Sequence, residues 1–373
     1  MRTFPIILLS LTLALGCDDD PDMDAGPPGV DAGPPGEDAG VDAGTDAGRE
    51  DAGFDAAVPC DGPPGLYEPG TGCSVVAAGL RSYTPQYELW SDGASKDRYV
   101  FLPLGEQIDT SDPDNWVYPV GTRFYKTFSL AGLRLETRIL EKTTAGTGVG
   151  AWDLSVWAWN MEQDAVTDVT NTADPVRQNV LGTDHDIPSG ADCLRCHIGQ
   201  SGHDMVNGFS AFQINYDGAG VSYADLQTEG RIANPFAPAD AVVPGDSTTA
   251  AALGWLHTNC GYCHRPNGDP SAVLRGFFMR LAVGSSGLVE GTRTYMTGVN
   301  QPSSITFGDA LCRFTPGSAE DSVAFHRLSS RDPGVQMPPL ATEQTPVAAA
   351  APVRAWIDSL TVAVDPDCLP PPP

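Results

Sequence analysis

Four short segments in the first half of the chain have strand-like patterns: the first is an apolar-aromatic run bounded by Pro103, and the other three alternate polar and apolar residues. They span 98–102, 122–128, 133–140 and 152–159, and Gly, Pro, Asp and Asn occupy the gaps between them. Alternation with period two places successive side chains on opposite faces of a strand, and short strands separated by turn residues are typical of antiparallel sandwiches. The pattern therefore predicts an antiparallel β-sandwich over residues 58–180.

This β-rich segment offers little chemistry of its own. No histidine precedes His185 in the sequence, so the segment lacks the usual general base and transition-metal ligand. Its aromatic residues are expected to form the core of the sandwich. Its scattered carboxylates are interpreted as solvated surface groups, and they are Glu88, Asp92, Asp97, Glu136 and Glu141.

The second half of the chain shows helical periodicity instead. A capping Asp246 precedes 248–258, where Leu253, Leu256 and Cys260 recur on one helix face. Near the C-terminus, a second amphipathic pattern with spacing i, i+3, i+4 and i+7 is formed by Val353, Trp356, Ile357 and Leu360. We therefore expect residues 181–373 to be mainly helical.

Residues 1–17 have the pattern of an export signal. An apolar stretch over 4–15 follows Arg2 and is too short to span a bilayer as a mature helix. It ends in Ala14-Leu15-Gly16-Cys17, which resembles a bacterial lipobox, where the cysteine becomes the lipid-modified first residue. We expect a lipid anchor on Cys17, with ordinary signal cleavage as the alternative. Both processes would place the chain in the periplasm or cell envelope.

An acidic low-complexity segment follows at 18–57. Asp-Ala-Gly recurs along it, and Arg49 is its only basic residue. The segment has almost no large apolar residues to offset the entropy of ordering, so it is predicted to be a disordered spacer rather than a metal-binding repeat. The whole chain carries a formal net charge of -27, which disfavours nucleic acid as a partner.

Two motifs of the form C-x-x-C-H, at 193–197 and 260–264, carry the most specific chemistry in the sequence. This spacing is the attachment signature of c-type haem. Two cysteines add to the vinyl groups of the porphyrin, and the histidine that follows binds the iron as the proximal ligand. The sequence therefore predicts two covalently attached haem c groups, held by Cys193, Cys196 and His197 and by Cys260, Cys263 and His264.

Zinc binding and dithiol redox chemistry are the alternatives for these cysteines. Structural zinc pairs are usually about 15–20 residues apart, whereas Cys196 and Cys260 are much further apart and each pair is followed by a histidine. A thioredoxin-like dithiol would need a βαβ context that the sequence does not show. Haem attachment is the interpretation that accounts for both histidines.

Met337 is the expected distal ligand of the second haem iron. It precedes Pro338 and Pro339, which fix the backbone and can hold a thioether against a metal, and Met/His is a common ligand pair in cytochromes c. The order of helix, C-x-x-C-H, Met-Pro and terminal helix resembles a class I cytochrome c domain. The resemblance covers about 246–362, within a dihaem cytochrome c-like region over 181–373.

The first motif has a less complete frame. The stretch 186–192 ahead of Cys193 has turn-like composition and no helical period. The sixth iron ligand is left open among His203, Met205, His257 and an exchangeable position. An open position would allow a small ligand to bind and react, which separates an oxidoreductase from a simple electron carrier.

Four cysteines remain after the lipid site and the two haem motifs are assigned. They are Cys60, Cys73, Cys312 and Cys368, an even number that suggests two disulfides in an exported protein. We favour the pairs Cys60–Cys73 and Cys312–Cys368, while the other two pairings stay open.

Several segments together resemble a family of exported bacterial proteins. They are YELWSD at 87–92, RYVFLP at 98–103, YPVGT at 118–122, KTF at 126–128, LETR at 135–138, IPS at 187–189, QIN at 213–215 and LHTNCGYCHRP at 256–266. In that family a β-rich domain precedes a cytochrome c region with two C-x-x-C-H motifs. The resemblance implies haem binding and electron transfer but no particular substrate.

We therefore expect an exported, membrane-tethered dihaem cytochrome that passes electrons between redox partner proteins. The alternative is a haem-dependent oxidoreductase that acts at an open first haem or in the cleft against the β domain. A third hypothesis is a binding module stabilised by cysteine-bound zinc.

Overall fold

The structure is a computed structural model that describes residues 59–172, 177–197, 203–204, 206–284, 287–339 and 342–370. The predicted signal peptide, the lipid site Cys17, the acidic spacer 18–57 and Met205 lie outside these residues. None of the helices in the described ranges is both long enough and apolar enough to cross a membrane.

A six-stranded antiparallel sheet dominates the first half, with the order β1-β2-β4-β5-β6-β7. Its strands are β1 Arg81–Ser82, β2 Ser95–Phe101, β4 Arg123–Leu130, β5 Leu133–Lys142, β6 Trp152–Trp159 and β7 Val166–Asp168. Two small sheets complete the strands: β3 Ile108–Asp109 pairs in parallel with β8 Ile232–Ala233, and β9 Pro302–Phe307 pairs with β10 Ala310–Cys312. The predicted antiparallel sheet is confirmed.

The α-helices of the described residues are short and lie between Gly190 and Ser359, with long stretches of loop between them, so the expectation that 181–373 is mainly helical is wrong. They are α1 Gly190–Cys196, α2 Ala211–Ile214, α3 Tyr223–Thr228, α4 Ser247–Asn259, α5 Pro270–Arg275, α6 Arg293–Gly298, α7 Val323–Ser329 and α8 Ala351–Ser359. The two amphipathic patterns of the sequence correspond to α4 and α8, which pack against each other. Helix α1 was not expected, because seven residues are too few to show helical periodicity.

In the described part of the chain, no second antiparallel sheet is stacked on the main sheet, so the predicted sandwich is wrong. One face packs Leu66 against Tyr125 and Ile139, so the N-terminal segment covers it. The other face packs Val100 and Phe124 into a core that continues to the second half of the chain. Helices and loops thus take the place of the second sheet, because their side chains bury the same apolar face.

The main core joins residues from both halves of the chain. It contains Val100, Phe124 and Trp152 from the sheet, Leu253 from α4 and Trp356 from α8. Both favoured disulfides, Cys60–Cys73 and Cys312–Cys368, are present. The described residues between 59 and 370 therefore share one hydrophobic core across the boundary expected near residue 180.

Candidate functional site

The second C-x-x-C-H motif lies directly at the C-terminal end of α4. Asp246 caps the start of this helix by accepting a hydrogen bond from Thr249 N at 2.8 Å. Cys260 is the residue that ends the helix. The backbone then turns tightly, since His264 N donates to Cys260 O at 2.8 Å. The helix and this turn together fix where the two thiols and the imidazole of the motif lie.

The ring of His264 is oriented by the backbone. Its Nδ1 lies 2.9 Å from the carbonyl oxygen of Phe277, and in the neutral ring Nδ1 donates this bond and leaves Nε2 as an acceptor. Burial lowers the pKa of His264, which favours the neutral form. A second hydrogen bond of this kind is typical of metal-binding histidines, because it fixes both tautomer and ring orientation.

Met337 is presented by a loop that Arg327 holds from both its backbone and its side chain. Met337 N donates to Arg327 O at 2.9 Å. The guanidinium of Arg327 donates from Nε to Val335 O at 2.7 Å. Arg327 lies on α7, so this helix determines the position of the methionine. No short-range sequence pattern links Arg327 to the loop, so this role could not be predicted from the sequence.

One cavity joins these groups. Its volume is about 330 Å³, within the about 300–1,000 Å³ range of ligand pockets. Cys260, Cys263, His264 and Met337 all line it. Trp255 lines it too, and its indole N–H is buried with no hydrogen-bond partner in the described structure. The cavity thus combines two thiols, an oriented imidazole, a thioether and an unpaired donor.

The first motif forms most of helix α1. Ser189 and Asp192 cap this helix reciprocally as a capping box. Cys193 is buried in a hydrophobic cluster with Val156 and Ala158 of β6. Cys196 is exposed, and His197 is the residue at which the helix ends. The sheet therefore supports the first motif, whereas α4 supports the second.

The structure brings the two motifs into contact. The thiol of Cys263 lies 3.8 Å from the carbonyl oxygen of Arg195, inside the first motif. The neighbouring thiol of Cys263 lowers the pKa of Cys196, and Cys196 in turn raises the pKa of Cys263. Groups attached at the two motifs would therefore be neighbours.

Two of the candidate sixth ligands for the first motif can be compared. In His257, Nδ1 accepts a hydrogen bond from Leu281 N at 3.0 Å. The proton of the neutral ring is then on Nε2, which is buried without a partner among the described atoms. This tautomer cannot bind a metal through Nε2. In His203 the buried, unpartnered atom is Nδ1.

The interpretation of the β-domain carboxylates as solvated surface is wrong for two of them. Glu136 is fully buried and Asp92 is 2 % exposed. Glu136 accepts a bidentate pair of hydrogen bonds from Arg138, with Nε at 2.8 Å, and also bonds His185 Nε2 at 2.8 Å. Although burial opposes its charge, Arg138 helps to lower the pKa of Glu136 to about 2. The sheet therefore contains a buried ionic network that faces the first motif.

Within the described ranges, no group of three or more His, Cys, Asp or Glu side chains is arranged to hold a metal ion. A haem iron needs no such group, because each motif would supply a single histidine. Comparisons with protein-family models, with curated proteins and with solved structures gave no match to this chain.

Proposed function

We propose that this chain is a dihaem c-type cytochrome that transfers electrons between redox partner proteins. The observation that supports the proposal best is the single cavity lined by Cys260, Cys263, His264 and Met337. Met337 is far in sequence from the other three residues, and the four are the attachment cysteines, the proximal ligand and the distal ligand expected for a haem c.

Each side chain has a separate task at this site. Cys260 and Cys263 would hold the porphyrin through thioether bonds. His264 would bind the iron, and the carbonyl oxygen of Phe277 orients its ring. Arg327 would hold the Met337 loop in place. The haem, when bound, supplies one-electron chemistry with a potential that depends on its axial ligands.

The export signal and the acidic spacer support the same proposal. Covalent haem is attached outside the cytoplasm, and the predicted lipid on Cys17 would keep the protein at a membrane of the cell envelope. The direct test is an absorbance spectrum of the purified chain with iron and zinc analysis. We expect a Soret band, a reduced α band near ~550 nm and iron in the preparation. Zinc without iron would contradict the proposal.

Replacing Met337 by alanine is expected to lower the reduction potential of the second haem and to create an iron position that binds carbon monoxide. The reason is that a thioether ligand raises the potential of a haem relative to an open or water-bound position. Redox titration and carbon monoxide difference spectra measure both effects. Met296→Ala is the matched control, since Met296 is 54 % exposed. An unchanged potential and spectrum in Met337→Ala would reject Met337 as the ligand.

One observation favours the oxidoreductase alternative. In His257 the ring proton is on Nε2, so this nitrogen cannot bind the first haem iron and one candidate sixth ligand is removed. We expect His257→Asn to leave the spectrum of the first haem and its reaction with carbon monoxide unchanged, because the asparagine oxygen can keep the Leu281 hydrogen bond. His203→Asn is the comparison variant. Carbon monoxide binding that appears only in His257→Asn would show that His257 is a ligand after all. Binding by the unmodified protein would support catalysis at an open first haem.

A further inference from the structure

A row of positive charges crosses the main sheet beside the first motif. Arg98 on β2 is the register partner of Lys126 on β4, and Lys126 is the register partner of Arg138 on β5. Side chains at such positions share one face, with Cβ atoms about 4.5–5.5 Å apart. Lys96 adds a fourth cation in the next row. Like charges that face one another directly destabilise a sheet, so this arrangement needs a physical reason.

The described carboxylates do not balance this row, which we call the cation row and which consists of Lys96, Arg98, Lys126 and Arg138. Glu136 is bound bidentately to Arg138. Glu88 lies 3.5 Å from Arg98, but its side chain is 53 % exposed, so solvent screens that pair. The ammonium of Lys126 contacts the face of the Phe128 ring at 5.0 Å and has no carboxylate within ion-pair distance in the described chain.

Arg98 shows most directly that a partner is missing. Its side chain is only 4 % exposed, and Nη2 is buried without a hydrogen-bond partner among the described groups. A buried guanidinium N–H that lacks an acceptor is costly, because folding has removed its hydrogen bonds to water without replacing them. Burial and the neighbouring cations also lower the pKa of Lys126 well below its ordinary value. An anion at this place would satisfy both groups.

The cation row lies beside the first motif. Val156 is the register partner of Arg138 and Ala158 is the register partner of Glu136. Cys193 packs in the same hydrophobic cluster as Val156 and Ala158. Helix α1 therefore rests on the sheet next to Arg138, so a group joined to Cys193 and Cys196 would meet the cations.

We propose that the cation row binds a carboxylate group, with Arg98 and Lys126 as its main ligands. Two sources share this chemistry. One is a propionate of a haem attached at Cys193 and Cys196, which rests on the proposed function. The other is a small dicarboxylate from solution, and this source does not depend on the proposed function. Arginine offers a planar pair of donors to a carboxylate, and lysine adds a compact charge.

The test compares the purified haem-loaded chain with Lys126→Met and Lys126→Arg. The matched control is Arg123→Met, because Arg123 lies on the same strand three residues away and on the other face of the sheet. The reduction potential of the first haem is measured with and without sodium succinate, and sodium chloride at equal ionic strength is the salt control. Circular dichroism confirms that each variant is folded.

A propionate source predicts that Lys126→Met lowers the potential of the first haem, that Lys126→Arg restores it, and that succinate has no effect. The loss of a nearby cation destabilises the reduced iron relative to the oxidised iron. A free dicarboxylate predicts instead that succinate shifts the potential of the first haem in the unmodified chain. In Lys126→Met, the same shift should need at least a tenfold higher succinate concentration. Equal behaviour of Lys126→Met and Arg123→Met in every measurement overturns the carboxylate site.

The failure of haem attachment is distinguishable from the failure of this site. Should the purified chain contain no haem, succinate binding is measured by calorimetry on the same preparation. An at least tenfold weaker affinity in Lys126→Met than in Arg123→Met then supports the site by itself. Without haem, no propionate occupies the cation row, so succinate should be able to bind there. The absence of succinate binding to the unmodified haem-free chain would therefore overturn the carboxylate site.

Discussion

Replacing Cys260 and Cys263 together by alanine is expected to halve the covalent haem content, from two groups per chain to one. Under the proposed function each motif would attach its own haem through its own pair of cysteines, so removal of one pair would leave the other to attach its haem. The intact mass of the variant falls by the mass of one haem. A haem assay in alkaline pyridine and mass spectrometry of the denatured chain measure the change.

Two comparisons make this result specific. The double variant Cys193→Ala with Cys196→Ala should lose one haem as well, but it should keep the one whose potential depends on Met337. Replacing Cys312 and Cys368 by alanine should keep both haems, because these cysteines are bonded to each other in a disulfide and belong to neither motif. Equal haem content in all of these variants, or a wild-type chain without haem, would contradict the dihaem proposal.

Breaking the buried ion pair between Lys142 and Asp204 is expected to have the largest effect on stability. Lys142 Nζ lies 2.5 Å from Asp204 Oδ2, and the two side chains are 1 % and 0 % exposed. Asp204 also accepts hydrogen bonds from Trp152 Nε1 and Tyr118 N, each at 2.9 Å. Asp204→Asn leaves the ammonium uncompensated, and removal of one partner of such a pair costs about 3–5 kcal/mol.

Urea unfolding followed by tryptophan fluorescence measures this free energy at equal haem loading. The matched control is the exposed pair Arg354 and Glu320, whose side chains are 43 % and 69 % exposed. Glu320→Gln should change stability by about 0–1 kcal/mol. The double variant Lys142→Met with Asp204→Leu should recover part of the loss, because no charge is left buried. A loss below about 1 kcal/mol in Asp204→Asn would show that the pair is not isolated from water.

This ion pair also has a consequence for the first motif. Asp204 follows the candidate ligand His203 directly in sequence, and His203 O accepts a hydrogen bond from Gly148 N at 2.7 Å. The segment is therefore fixed at both residues, to the loop between β5 and β6 at His203 and to these two strands at Asp204. Loosening it through Asp204→Asn is expected to move His203 relative to the motif, whereas Glu320→Gln should not. The spectrum of the proposed first haem would report this movement.

The local elements were predictable because their signals are local. Alternation identified β4, β5 and β6, and an apolar-aromatic run identified β2. The periodicity at 248–258 identified helix α4 with its Asp246 cap. Helix α8 followed from four apolar residues on one face. The two C-x-x-C-H motifs were recognised by their spacing, and the two disulfides were predicted by counting the remaining cysteines. Neither step needs the fold, because thioether and disulfide bonds both require cysteine.

The register of the sheet, by contrast, depended on the tertiary structure. Glu136 and Arg138 look like ordinary polar positions of an amphipathic strand, and only burial against the first motif makes them an ionic network. The second sheet of the expected sandwich is replaced by helices and loops because an apolar sheet face needs only apolar cover, whatever backbone supplies it. Sequence alternation cannot say which element provides that cover.

The sequence by itself thus determined the two C-x-x-C-H motifs, from which haem attachment is predicted, and the type of the main strands and of helices α4 and α8. Only the tertiary structure decided what meets at each site. It joined His264 and Met337 around one cavity, brought Cys263 against Arg195, and aligned Arg98 with Lys126 beside Cys193. The physical reason is that covalent motifs and periodicity are properties of neighbouring residues. Cavities and charge rows arise from packing between segments that are far apart in the chain.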